Sequence, residues 1–150
     1  MTRKISTALR IGLSCFLTVG SLAAHHSFAP VFDGEKKMIL KGVVTRFDWI
    51  NPHSFIYVEV QGKNGVVENW ALEGPAAAQL NRRSLPPATV KVGDNIEACG
   101  YGTKDGVSPS RVDAAAAGRL LSVELLTLQD GQKLVWSNYG QGKCLPAGLN

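Results

Sequence analysis

The chain has 150 residues, 45% of them hydrophobic and 19% charged, which is enough for one domain with a real core. That balance excludes intrinsic disorder as the main state, and no apolar run reaches the about 18–20 residues of a spanning helix. The formal charge of +4 is concentrated at the start: residues 1–24 hold Arg3, Lys4 and Arg10 and no acid, which leaves 13 basic against 12 acidic residues beyond them. A nearly neutral body with no basic stripe excludes nucleic acid as a partner.

Residues 1–24 have the three zones of a secretory signal: a positive start, a charge-free stretch over 11–24, and the small residues Ser21, Ala23 and Ala24 as a cleavage site. This predicts a periplasmic or secreted protein with no membrane span after cleavage. Cutting after Ala24 makes His25 the first residue; cutting after Ala23 makes it Ala24. Residues 25–37 read as an irregular N-terminal arm, with turn residues at Pro30, Asp33 and Gly34.

β signals then dominate 38–136. Strands are predicted over 38–49, with Gly42 as a bulge or bend, and over 54–60, where Ile56, Val58 and Val60 alternate with His53, Phe55, Tyr57 and Glu59. Asn51 and Pro52 mark the turn between them. Residues 62–65 supply a hairpin into a third strand, 66–73. A short helix follows Pro75, favoured by the alanines after it. Further strands are expected over 95–101, 119–128 and 134–136, the last after an Asp130-Gly131 turn, with a long loop over 103–118. Residues 137–150 read as a flexible tail with little to pack. Three strands, a helix and two more strands is the order of the five-stranded oligomer-binding barrel; a small β-sandwich is the alternative.

Cys15 leaves with the leader, so the mature chain keeps Cys99 and Cys144. An oxidising compartment permits a disulfide between them; two thiols remain the alternative. His25 and His26 fall at the new N-terminus, and His53 begins the second strand. An α-amine with an ordinary pKa of about 7.7–8.0, beside imidazoles, is a nitrogen-rich set suited to Cu(II). Glu73, at the end of the third strand, is placed to be a fourth ligand or to orient a ligating ring. Trp49, Phe55 and Tyr57 are candidates for an aromatic platform on the strand 2–3 face, holding a glycan or small molecule. No nucleophile elbow, phosphate loop or His-Glu-x-x-His helix is present, so binding is expected rather than turnover.

His25, His26, Ser27, Phe28 and Ala29 after a leader, Phe32 and Asp33, Gly42, Val43 and Val44 leading to Trp49, and Asn51, Pro52 and His53 form a recognisable set. With Trp70 and Glu73, Gly93 and Asp94, and Asp105 and Gly106, the chain resembles a bacterial family of short exported proteins catalogued as a domain of unknown function. The resemblance covers roughly 25–136 and implies export and a small β-rich domain, but no established substrate, cofactor or catalytic residue. All three histidines lie within its motifs, which strengthens the metal expectation. The chain departs from the family at Ser84 and Leu85, where Gly-Trp is common, and in its two cysteines. The leading expectation is thus a periplasmic copper-binding module using His25 or His26 with His53. The alternative is a metal-free module for a glycan, a small molecule or an envelope protein.

Overall fold

The computed structural model describes residues 28–105 and 119–147. The leader, His25 and His26, and most of the predicted 103–118 loop lie outside the described residues. Among the described residues, six strands form one sheet: β1 (Phe32–Asp48), β2 (Phe55–Gln61), β3 (Val67–Glu73), β4 (Asn95–Thr103), β5 (Leu120–Thr127) and β6 (Lys133–Val135). The helix α1 (Ala77–Arg82) stands between β3 and β4. The all-β expectation with one short helix holds. Antiparallel pairings join β3, β2, β1, β4, β5 and β6 in that order, and a parallel β3–β5 pairing (Ala71 with Leu120, Leu72 with Leu121) closes five strands into a ring. This is the connectivity of the oligomer-binding barrel.

β1 begins at Phe32, six residues before the predicted start, and its first half pairs with β4 while its second half pairs with β2. The extra length is hard to see in the sequence because 33–37 is polar and opens with turn-type residues, and Glu35, Lys36 and Lys37 are exposed. The bulge predicted at Gly42 falls instead at Thr45, where the β1–β2 register skips a residue between Val44 and Arg46. Gly42 serves close packing: a Cβ there would sit 2.5 Å from the Glu59 carbonyl oxygen. The Thr45 bulge resets the alternation, so that Val44, Phe47 and Trp49 pack on the interior cluster. Arg46 and Asp48 then lie on the other face with Tyr57 and Phe55, their register partners.

A second bulge occurs in β5. Cys99 pairs with Leu125 and Gly100 with Val123, so Glu124 is the extra residue. Leu121, Val123 and Leu126 point into the ring, where they meet Ile56, Val58, Leu72, Ile96, Ala98 and Trp136. Leu80 of α1, fully buried, and Val90 cover this core from the β3–β4 connection. The opposite face is also covered. Phe32, Phe55, Tyr57, Ala71, Tyr101 and Leu120 form a second cluster beneath Phe28 and Val31. Residues 137–147, read from the sequence as a tail with little to pack, lie against β4 and β5. Glu124 accepts hydrogen bonds from the Gly142 and Cys144 amides, and a Cys99–Cys144 disulfide joins the segment to β4.

Two residues past the end of α1, Ser84 takes φ 58°, in the left-handed region, while the Leu85 amide reaches back to the Leu80 carbonyl. A side chain in that region costs about 1–2 kcal/mol relative to right-handed backbone, and glycine avoids the cost. Ser84→Gly is expected to raise stability by about 0.5–1 kcal/mol, once the greater freedom of glycine in the unfolded chain is subtracted. A chemical denaturation curve with an unchanged or lower midpoint would refute this.

Candidate functional site

The site grows from the ends of β2 and β3. These strands are antiparallel, with Phe55 opposite Glu73 and Tyr57 opposite Ala71. Two backbone bonds continue the ladder past the strand ends: Ser54 donates to the Pro75 carbonyl (3.1 Å) and Gly74 donates to that of Ser54 (2.9 Å). Gly74 is required here because a Cβ would lie 2.2 Å from Trp136 Nε1, and that ring is fully buried against the strand end. Residues 53–55 are thereby held beside residues 73–75, on backbone anchored to the main core.

His53 Nδ1 lies 2.9 Å from Glu73 Oε1, and the two side chains are 14% and 7% exposed. The sequence predicted this neighbourhood, and the structure brings the pair together. A carboxylate this close favours the proton on Nδ1, and in a neutral imidazole the lone pair then resides on Nε2. Carboxylate, imidazole and metal in that order are a common arrangement, in which the acid orients the ring and raises its basicity. Among the described residues, no group of three or more His, Cys, Asp and Glu side chains is placed to hold a metal ion. His53 and Glu73 alone are not a metal centre, and His25 and His26 lie outside the described residues.

The aromatic candidates separate. Phe55 and Tyr57 share the His53 side of the sheet with ring centroids 6.4 Å apart, but both are buried in the second cluster. Trp49 lies with the interior group, edge-on to Phe47 at 5.6 Å, because of the Thr45 bulge. The three are not brought together as one platform. Sequence reasoning missed Arg46, whose guanidinium stands 3.8 Å over the Tyr57 ring and 3.0 Å from Asp48. No signal would have found it without knowing where the bulge falls, since a one-residue slip moves a side chain to the other face.

Phe28, the first described residue, ties the N-terminal arm to this same side. Its ring is 5.3 Å from that of Phe32 and 5.4 Å from that of Tyr101, edge-on to the latter. Both partners belong to the cluster that contains Phe55 and Tyr57.

Fold and site together define a small, closed all-β domain with a largely buried His–Glu pair at one strand end. The chain belongs to the family of unknown function DUF6152, whose sequence model matches residues 15–111. The match takes in β1 to β4 and both members of the pair, and stops before β5. No curated protein matches the chain.

Proposed function

We propose that the protein is an exported copper-binding module in which the mature N-terminus, through its amine with His25 or His26, and His53 ligate one Cu(II) while Glu73 orients the His53 ring. The single observation that carries this reading is the 2.9 Å contact between His53 Nδ1 and Glu73 Oε1 in a largely buried setting. Chain reach supports it. His25 and His26 precede Phe28 by three and two residues, a span of at most about 7–11 Å, and Phe28 packs on the cluster that holds Phe55 and Ala71, each two residues along the chain from His53 or Glu73. Nitrogen ligands of this type favour Cu(II) over harder divalent ions. The leader supports export to the periplasm, and the Cys99–Cys144 disulfide is consistent with an oxidising compartment. The role is binding or delivery, with no turnover assigned.

The test is a Cu(II) titration followed by electron paramagnetic resonance on exported protein with its own processed N-terminus, since a retained Met or tag would block the amine. One stoichiometric, tetragonal, nitrogen-rich signal is expected. Glu73→Gln is expected to weaken copper binding about 10-fold, the lower end for loss of an orienting partner, and His53→Ala by more. Equal affinity in His53→Ala would remove His53 from the site, and heterogeneous weak binding in the wild type would remove the copper reading itself.

A further inference from the structure

Among the described residues, β6 is the last strand of the sheet and pairs only with β5. The direction of its backbone groups follows from the bonds on either side. The Leu128 amide donates to the Gln132 carbonyl, and the Trp136 amide to that of Glu124, each at 2.9 Å. Hydrogen-bonded pairs alternate along an antiparallel ladder, so Leu134 is bonded to its register partner Leu126. Lys133 and Val135 therefore turn their N–H and C=O groups away from β5. Two donors and two acceptors are presented in the alternating order that an incoming strand requires.

Beside this edge runs an open groove of about 500 Å³, lined by Arg83, Leu85, Lys133, Leu134, Val135 and Asn138. Its apolar part is Leu85, Leu134 and Val135; its charged part is two cations with no acid. Arg83 is held in place by donating to the Trp136 carbonyl (3.0 Å) and to Asn138 Oδ1 (3.1 Å), so its charge stays at the groove as the β6 strand ends. The β3–β4 connection that carries α1 thus supplies one wall and β6 the other.

We infer that the β6 edge is a docking site for an extended acidic peptide, which adds as a further strand and sets its carboxylates against Lys133 and Arg83. An exposed sheet edge recognises main chain by ladder bonds and side chains by alternate pockets. Charge decides between the possible occupants. A second copy of this chain meeting the first edge to edge would bring the Lys133 and Arg83 cations of both copies close to one another with no acid of the groove between them, and like charges oppose that pairing. Lysine on a short edge strand also discourages neutral or basic strands, which leaves an acidic one selected. The inference is independent of the copper reading, since the groove and the His53–Glu73 pair are formed by different elements.

The probe is a terminally blocked heptapeptide of alternating glutamate and valine, titrated into the full protein and followed by amide chemical shifts and by fluorescence anisotropy. The largest shifts are expected at Lys133 and Val135, with affinity falling as salt rises. Lys133→Glu is expected to weaken binding about fivefold, the upper scale of one exposed ion pair, and its melting curve checks the fold. Two control peptides keep the test independent of any variant: one N-methylated at alternate residues and one with lysine for glutamate, neither of which is expected to bind. Binding of either control with the affinity of the probe, shifts confined to other parts of the molecule, absence of binding at millimolar probe, or dimerisation through β6 would each overturn the inference.

Discussion

Glu124→Ala is expected to destabilise the protein by about 3–5 kcal/mol, through amides that lose their acceptor and the space the side chain leaves. The residue is 1% exposed. Its Oε2 accepts from the Tyr101 hydroxyl (2.9 Å) and the Cys144 amide (3.0 Å), and its Oε1 accepts from the Gly142 amide (2.8 Å). The Tyr101 oxygen in turn accepts from the Gln141 and Lys143 amides, both at 3.0 Å. One carboxylate and one phenol therefore accept from four consecutive backbone amides of the C-terminal segment, at residues 141, 142, 143 and 144. Glu124→Gln retains one acceptor oxygen and is expected to cost about 2 kcal/mol. Denaturant unfolding under oxidising conditions measures both, and a loss below 1 kcal/mol for the alanine variant would show that the clamp does not hold the segment.

The same network has an alkaline signature. Burial, and then the hydrogen bond to Glu124 and its charge, raise the Tyr101 pKa above the ordinary tyrosine value, while the Lys143 and Gln141 amides act in the opposite direction. With the folded value raised, the unfolded chain releases this proton first as pH climbs. The contribution is fully present below the ordinary value of about 10 and is lost as pH rises through the folded value. Tyr101→Phe is therefore expected to flatten the fall in stability on the alkaline side.

Periodicity made much of the fold legible. Ile56 and Val58, set on one face by their alternation, pack in the interior cluster, and the strand–helix–strand order matched the closed ring. What the sequence hid was set by bulges. LLSVELLT carries apolar residues on both faces, and only the extra residue at Glu124 explains why that side chain and Leu125 share the outer side. The docking of the C-terminal segment was legible only through Cys144, because its other anchors include backbone amides that meet a distant carboxylate, and no residue type advertises those. The His53–Glu73 neighbourhood was legible because an antiparallel hairpin fixes which residues face each other at its open end. Arg46 was not, since its face depends on Thr45.

Breaking the Cys99–Cys144 disulfide is expected to cost about 4 kcal/mol by loop-closure entropy for a separation of 45 residues. The ring should survive this loss, because its closure rests on the β3–β5 pairing and the interior cluster, neither of which includes a cysteine. The local effect is concentrated in residues 138–147, where amide exchange is expected to quicken in a Cys99→Ala, Cys144→Ala variant. Bridge and carboxylate act on the same segment: Cys144 is both the disulfide partner and a donor to Glu124. Their contributions are therefore expected to be non-additive, with Glu124→Ala costing at least about 1 kcal/mol less once the bridge is gone. The measurement is a double-mutant cycle from denaturation midpoints. Full additivity would mean that the carboxylate keeps its amides without the bridge, so that the fold around Tyr101 holds the segment unaided. Coupling would mean that the disulfide keeps the amides within reach of a buried charge.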